Sequence, residues 1–281
     1  MASAWPLSRA PKNHKRVSSL GFRRNFMPGF WENLRFPGER EMDDLHGAQG
    51  QDMVTYVSFP SPSEGSNFPA VIVIMEAFGV TGHIENVCNQ YAANGYVAIA
   101  PALYHRQHPN PKLGYDEMPT VQQYMGALRD DELVEDVNVA IDYLQNHYQR
   151  TQGQKIGIVG YCVGGRITYL AATSCPGLSA ASVYYGGRIL VPFGDGSAPI
   201  DLTSNINIPV MGNFGDDDDN PSPADVATID QALTAAGVTH DFKSYPGAGH
   251  GFNCDDRGSY NEAAAKDAFD RTLGFFNQHV K

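Results

Sequence analysis

The stretch Lys155-Ile-Gly-Ile-Val-Gly160-Tyr-Cys162-Val-Gly-Gly165 joins a predicted strand to a predicted helix and places one reactive side chain between them. Residues 155–160 form the strand, and the helix runs from about Gly164 to Thr173. The carboxyl ends of parallel strands are where α/β sheets bind ligands. The sequence therefore predicts that Cys162 lies at the functional edge of such a sheet.

The five residues Gly160-Tyr-Cys162-Val-Gly164 follow the pattern G-x-S-x-G with cysteine in place of serine. In that pattern a strand turns sharply into a helix and presents a nucleophile on a strained backbone. The two glycines relieve crowding between the strand and the helix. A five-residue pattern also arises by chance, in which case Cys162 is a buried packing residue. The strand before it and the helix after it favour the nucleophile.

Strand-like and helix-like segments alternate from about residue 54 to the end of the chain. Strands are predicted at 54–59, 70–75, 96–100, 155–160, 178–185, 208–214 and 240–245. Helices are predicted at about 84–94, 133–148, 164–173 and 222–236, and at the C-terminus. The Pro- and Gly-rich segment 101–119 is a predicted long loop. This alternation is typical of a doubly wound, mostly parallel sheet with helices on both faces.

The positive charge of the chain is concentrated at its beginning. Residues 1–40 hold eight Lys/Arg and two acidic residues, whereas the whole 281-residue chain has a net charge of −11. We predict a basic N-terminal extension at 1–52, disordered or outside the core, and one α/β domain at 53–281. The extension has three interpretations: an organellar import sequence, a plain disordered segment, or translated sequence before an internal start such as Met42 or Met53.

Composition excludes several classes of partner. A net charge of −11 argues against binding a nucleic-acid backbone, and no apolar run approaches the roughly 18 residues of a membrane span. The four cysteines form no CxxC pair, which is typical of reduced thiols in the cytoplasm. We predict no cofactor, and no metal site, because His250, Cys254 and Asp255 lack a fourth ligand at the usual spacing. The expected partner is a small molecule, bound by a monomer or a homodimer.

A base for Cys162 is found in Pro246-Gly-Ala-Gly-His250-Gly-Phe252, after the last predicted strand and before the final helix. This position fits the chain order nucleophile, acid, histidine, and the glycines allow the ring to approach the sulfur. The alternative is a surface loop histidine. The acid that orients His250 is one of four consecutive aspartates, 216–219. Their positions in the chain do not show which of the four it is.

Several blocks together resemble the dienelactone hydrolase family over residues 53–281. They are Val71–Gly79, Pro101–Arg106, Gly160–Gly165, Tyr184–Gly186, Gly215–Asp218 and Gly247–Phe252. The resemblance implies an α/β-hydrolase fold and hydrolysis of lactones or carboxylic esters. It also implies a triad of Cys162, His250 and Asp218, because the family spacing from Gly215 selects Asp218.

The same resemblance implies roles for further residues. Glu76 would lie beside the nucleophile and hold its thiol in the resting state, although a salt-bridged loop carboxylate is an alternative. The backbone N–H groups of Ala77 and Val163 would form the oxyanion hole. Residues implied in substrate binding are Arg106, Arg257, Tyr104 and Tyr185.

Two departures from the family pattern bear on the substrate. The arginine that follows the histidine closely in dienelactone-specific members occurs here only at Arg257, and Ala102 stands where the family often has aspartate. Both favour the wider activity on lactones and esters over dienelactone itself. The alternatives are a broad-specificity carboxylesterase or thioesterase on the same triad, a thiol redox protein using Cys162 and Cys254, and a non-enzymatic binding module.

Overall fold

One sheet of eight strands runs through residues 26–34 and 53–281, the part of the chain that the computed structural model describes. The strands are β1 (Phe26–Leu34), β2 (Met53–Pro60), β3 (Ala70–Ile74), β4 (Val97–Pro101), β5 (Ile156–Tyr161), β6 (Leu178–Tyr184), β7 (Val210–Gly215) and β8 (His240–Tyr245). Their order across the sheet is β1-β2-β4-β3-β5-β6-β7-β8. The pairs β1–β2 and β2–β4 are antiparallel, and the other pairs are parallel. The predicted doubly wound, mostly parallel sheet is confirmed.

Helices cover both faces of this sheet. They are α1 (Gly82–Ala93), α2 (Met118–Ala127), α3 (Asp130–Asp142), α4 (Val163–Ser174), α5 (Pro223–Ala235) and α6 (Glu262–His279). The Tyr91 ring of α1 lies 5.9 Å from the Phe276 ring of α6, so these two helices share a face. In β5, Gly157 faces Phe276, whereas Gly160 faces Gly164 of α4. Because residues an odd number apart in a strand point to opposite faces, α4 lies on the other side.

The predicted loop 101–119 is wrong at its end, because α2 already begins at Met118. The sequence suggested a loop through Pro119. Proline is tolerated in the first turn of a helix, where its missing N–H has no intrahelical acceptor to lose. The predicted helix 133–148 also ends early: α3 stops at Asp142 and continues as a π-helical segment, Tyr143–His147.

The first strand comes from the segment predicted to precede the domain. Residues Phe26–Leu34 of the predicted extension pair antiparallel with β2 and form one edge of the sheet. The boundary predicted at residue 53 therefore leaves one strand out. The rest of the extension, 1–25 and 35–52, lies outside the described residues, and its role stays a prediction.

A buried ion pair fixes the position of α4 against α3. Arg166 of α4 donates two hydrogen bonds to Asp130, from Nη1 to Oδ1 at 2.6 Å and from Nη2 to Oδ2 at 3.0 Å. Arg166 is fully buried, and removing one partner of such a pair typically costs about 3–5 kcal/mol. Since α4 begins directly after Cys162, this pair also helps to hold the nucleophile. Among the described helices, none is long and apolar enough to cross a membrane.

Candidate active site

The predicted site residues follow strands that are neighbours in the sheet. The connection from β3 through α1 leads to β4 on one side, whereas β5 leads through α4 to β6 on the other. Strands β3 and β5 pair directly, with Ile74 opposite Gly160. Their carboxyl ends therefore form a topological switch point, the usual binding crevice of an open α/β sheet. Glu76 and Ala77 follow β3 there, and Cys162 follows β5.

Cys162 stands on a sharp turn between β5 and α4. Its backbone has φ 59° and ψ −123°, a strained conformation for a residue with a Cβ atom. A Cβ atom at Gly160 would lie 2.0 Å from the carbonyl oxygen of Gly164, and one at Gly164 would lie 2.4 Å from that of Met75. Both glycines are thus needed for the turn, and α4 begins against the end of β3.

His250 and Asp218 meet on the loops after β8 and β7. The ring Nδ1 of His250 lies 3.0 Å from Oδ2 of Asp218, and the other carboxylate oxygen accepts a hydrogen bond from the Asn220 N–H at 2.8 Å. Asp218 is buried, whereas Asp216, Asp217 and Asp219 are exposed. The structure therefore pairs His250 with the aspartate that the family spacing selects.

The imidazole of His250 is also adjacent to the sulfur of Cys162. Burial lowers the pKa of His250, but the negative form of Cys162 and hydrogen bonds with Asp218 and Cys162 outweigh it. Together they raise the pKa of His250 to about 10. The Tyr185 ring packs edge-on against the imidazole, with centroids 5.3 Å apart. One imidazole thus connects the thiol to a buried carboxylate.

Two backbone N–H groups belong to the chain segments that border the turn at Cys162. Val163 is the first residue of α4, so its N–H has no acceptor within the helix. Ala77 follows Glu76 at the end of β3, against which the first turn of α4 packs. The hydroxyl of Tyr104, buried beneath, donates to the carbonyl of Ala77 at 3.0 Å and holds this segment in place.

Glu76 is completely buried beside these groups, and neither carboxylate oxygen has a hydrogen-bond partner among the described residues. Burial raises the pKa of Glu76, and the nearby charges of His83, Arg257 and His250, together with the hydroxyl of Tyr185, partly offset that rise. Arg257 Nη1 is 3.8 Å from Glu76 Oε1, which is an ion pair without a hydrogen bond. The Arg257 guanidinium lies over the rings of Phe78 and Tyr115, at 5.5 and 5.7 Å.

Arg106 faces away from this group toward α3. Its Nη1 lies 2.8 Å from Asp136 Oδ2, and Glu135 and Glu132 approach the same guanidinium at 3.3 and 3.8 Å. The structure therefore occupies Arg106 with three carboxylates of the protein itself. Its role toward a substrate carboxylate stays a prediction.

Two residues that the sequence analysis did not associate with Glu76 lie beside it. His83, at the start of α1, and Cys254, after β8, each bring a ligating atom to within 4.8 Å of the other and of a Glu76 oxygen. His83 and Cys254 are buried, and the Cys254 sulfur lies 3.1 Å from the hydroxyl of Tyr115. No local motif indicates this grouping, because the three residues come from three separate segments.

Comparison with known proteins relates this geometry to one family. The model of the dienelactone hydrolase family matches residues 53–280. A Salmonella typhimurium protein named "Putative carboxymethylenebutenolidase" is 38% identical over 241 residues, which cover 83% of this chain and 85% of that protein. A Bradyrhizobium protein named "Probable 2-oxo-3-(5-oxofuran-2-ylidene)propanoate lactonase" is 27% identical over 236 residues, 83% of this chain and 92% of that one.

Solved structures show the same fold. The crystal structure titled "Putative Dienelactone Hydrolase" from Klebsiella pneumoniae has a TM-score of 0.75 and 35% identity, covering 89% of this chain and 99% of that one. The metagenomic phosphotriesterase P91, described as dienelactone hydrolase-like, superposes with a TM-score of 0.72 at 18% identity over 91% of this chain and all of that one. At that identity the second likeness shows the fold alone.

Proposed function

Because this chain belongs to the dienelactone hydrolase family, a family of lactone and ester hydrolases, we propose that it cleaves its substrate through a thioester on Cys162. The observation that carries this proposal is the imidazole of His250, which is hydrogen-bonded to Asp218 and adjacent to the Cys162 sulfur. A nucleophile, a base and an orienting acid in this arrangement are the parts of a catalytic triad.

In the proposed reaction the proton of the Cys162 thiol passes to His250, and the sulfur attacks the substrate carbonyl carbon. The N–H groups of Ala77 and Val163 stabilise the oxyanion, at roughly 3 kcal/mol per donor. When the C–O bond breaks, the imidazolium of His250 protonates the leaving oxygen. His250 then takes a proton from water, whose oxygen attacks the thioester and releases the acid and the thiol. Asp218 holds the ring orientation throughout.

We propose that Glu76 restrains the nucleophile between turnovers. A carboxylate buried beside the sulfur opposes a second negative charge there, whereas the imidazolium of His250 favours it. Among the described residues no hydrogen bond of normal geometry fixes Glu76, and Arg257 lies 3.8 Å from it. A substrate that engages Arg257 would therefore change the charge balance around the thiol.

Anionic lactones or esters are the substrate class that we propose. The side chain of Arg257 is partly exposed, and its Nη1 has no hydrogen-bond partner among the described residues, so a substrate carboxylate can engage the guanidinium. The buried hydroxyl of Tyr185 lies close enough to Glu76 to lower its pKa, but it forms no hydrogen bond of normal geometry among the described residues and can donate to the bound substrate. Arg106 is already paired with carboxylates of α3, and we expect a smaller contribution from it.

A substrate panel with matched arginine variants tests this recognition. Lactones and aryl esters with and without a carboxylate are assayed with Arg257→Met and Arg106→Met. We expect Arg257→Met to raise KM for the anionic substrates at least about tenfold, since a charge-assisted hydrogen bond contributes about 1.5–3 kcal/mol. KM for neutral esters should be little affected, and any change in kcat from the altered charge around Glu76 should be common to both substrate classes. Equal losses on both substrate classes would contradict carboxylate recognition, and a preference for neutral esters in the wild type would favour the general carboxylesterase.

The thioester itself is tested by trapping. An aryl ester of a slowly hydrolysed acid is mixed with the protein, quenched in acid and digested, and the peptide containing Cys162 is weighed by mass spectrometry. We expect the acyl mass on that peptide in the wild type and none anywhere in Cys162→Ala. Acylation at another residue, or full turnover in Cys162→Ala, would contradict the mechanism.

We place this activity in the cytoplasm, because all four cysteines are free thiols. We propose a small-molecule substrate as its partner, with no role for nucleic acid, for a membrane or for a cofactor. A monomer and a homodimer are equally compatible with the chemistry, and light scattering in solution distinguishes them.

A further inference from the structure

Glu76, His83 and Cys254 form a compact group of ligating side chains, here called the buried trio. Glu76 follows β3, His83 begins α1 and Cys254 follows β8. One ligating atom from each lies within 4.8 Å of the other two. Glu76 and Cys254 are completely buried, and His83 is 5% exposed. Oxygen, nitrogen and sulfur ligands therefore converge in the interior.

Most polar atoms of the buried trio have no hydrogen-bond partner within the described part of the chain. Neither oxygen of Glu76 and neither ring nitrogen of His83 has a partner within hydrogen-bond distance, and the sulfur of Cys254 lies 3.1 Å from the hydroxyl of Tyr115. Leaving a buried polar atom unsatisfied costs about 1–3 kcal/mol. A cation that binds one oxygen of Glu76 and one ring nitrogen of His83 supplies a partner for two of these four atoms.

We propose that the buried trio binds a divalent transition-metal ion of the zinc class. Carboxylate, imidazole and thiolate are the three kinds of side chain that bind Zn²⁺ in proteins. Zinc–ligand bonds of about 2.0–2.3 Å put tetrahedral ligands about 3.3–3.8 Å apart, so separations within the trio need to contract by about 1.5 Å at most. Ca²⁺ and Mg²⁺ prefer oxygen ligands, so a site with a thiolate and an imidazole selects against both ions.

A carboxylate and a cavity both adjoin His83. Asp255 Oδ1 lies 3.6 Å from His83 Nδ1, where it can orient the imidazole or complete the coordination. His83 and Asp255 also line a cavity of about 310 Å³ that includes Tyr260 and Glu262. The cavity lies between α1 and α6 and reaches His83, the one member of the buried trio that is not completely buried.

Arg257 is the cation that an ion must displace. Its Nη1 is 3.8 Å from Glu76, and its side chain is 23% exposed. Within the described part of the chain Nη1 forms no hydrogen bond, so moving the guanidinium outward breaks the ion pair with Glu76 and the contacts with two aromatic rings. The prediction of no metal site rested on His250, Cys254 and Asp255. The structure pairs Cys254 with His83 and Glu76 instead.

Metal binding is measured directly, so that its result does not depend on turnover. The full chain carrying Cys162→Ala is used in reduced, metal-free form, because Cys162 and His250 could themselves bind zinc. Zn²⁺ is titrated by calorimetry, and Co²⁺ is titrated by its absorption, which shows a sulfur-to-cobalt charge-transfer band only when a thiolate binds. We expect one ion per chain and a thiolate band.

Variants of the buried trio show whether its residues bind the ion. Adding Cys254→Ser or His83→Gln should weaken Zn²⁺ binding at least about tenfold and, for Cys254→Ser, remove the thiolate band. Adding Cys175→Ser, a buried cysteine elsewhere in the fold, should change neither. Unfolding curves show whether each variant is folded. If Cys254→Ser does not fold, His83→Gln is the variant that tests the site. The proposal is overturned if the Cys162→Ala chain binds no ion, or if its affinity survives both trio variants.

Discussion

Two groups of polar side chains lie next to each other at the carboxyl edge of the sheet and differ in how they are satisfied. In the triad group, Cys162, His250 and Asp218, the imidazole has a partner on each side. In the buried trio of Glu76, His83 and Cys254, four polar atoms have no hydrogen-bond partner among the described residues. A satisfied network is held in one arrangement, whereas an unsatisfied one gains free energy from any suitable partner. The arrangement of the triad group suits catalysis, whereas the arrangement of the buried trio suits the binding of an ion.

The largest expected effect is in the triad group. Cys162→Ala removes the nucleophile, and we expect the hydrolysis of an aryl ester to fall roughly 10⁵-fold or more in kcat/KM, as for other catalytic nucleophiles. Cys175→Ala is the control, since Cys175 is buried near the end of α4 and contacts the Val134 carbonyl. Its activity should stay within about twofold of the wild type. Loss of activity in both variants would indicate a folding defect and contradict the assignment.

The next effect separates two adjacent aspartates. Asp218→Asn leaves the size unchanged but no longer stabilises the imidazolium of His250, so we expect kcat to fall about 10²–10⁴-fold. Asp217→Asn is the matched control, because Asp217 is exposed and its side chain contributes nothing to the triad hydrogen bond. Initial rates at saturating substrate measure both. If Asp217→Asn were the more damaging change, the triad acid would have to be reassigned.

These two aspartates also show what the sequence could and could not predict. Four consecutive Asp residues are equivalent by composition, and only the family spacing from Gly215 pointed to Asp218. The structure gives the physical reason: the loop after β7 turns Asp218 inward to His250 and leaves its neighbours in solvent. The turn at Cys162 was predictable for another reason, because glycines at 160 and 164 are the local condition for a sharp strand-to-helix connection.

Groups assembled from distant segments were beyond local reasoning. His83 is one residue in an ordinary helix start, and nothing near it in the chain indicates that it faces Glu76 and Cys254. Arg106 shows the opposite case. Its motif indicated substrate binding, but the acidic face of α3 supplies three nearby carboxylates that a motif does not register. Strand β1 was missed because the basic composition around it suggested an extension.

A smaller effect concerns the proton on His250. Its pKa is raised to about 10, and the negative form of Cys162 is the largest cause that raises it, against burial, which lowers it. Below about pH 6.5 the resulting stabilisation of the folded state is fully present, and it is lost as the pH rises through about 10. The Cys162→Ala variant lacks the negative sulfur that raises the pKa of His250, so we expect this pKa to fall by at least about one unit.

Proton NMR of the imidazole Cε1–H resonances measures this change, with the exposed His147 as an internal reference. Asp218→Asn should also lower the pKa of His250, because its hydrogen bond contributes to the rise. An unchanged or higher pKa of His250 in Cys162→Ala would mean that the thiol and the imidazole do not interact in solution.

The smallest effect is in the buried trio and concerns stability. Burial raises the pKa of Glu76 above its ordinary value of 4.5. At pH values just above 4.5, the folded protein therefore keeps a proton that the unfolded chain has released. The free energy of unfolding then decreases as the pH rises. Glu76→Gln cannot ionise and avoids this decrease, so its melting temperature relative to the wild type should increase with pH. A gain of roughly 2–4 °C between about pH 4 and pH 8 would correspond to about 1 kcal/mol for a domain of this size.

Melting curves of metal-free protein across this range measure the gain, with Glu64→Gln as control because Glu64 is exposed. A difference that stays flat or shrinks with pH would show that Glu76 already has a partner, and that the contrast between the two groups is smaller than the structure indicates.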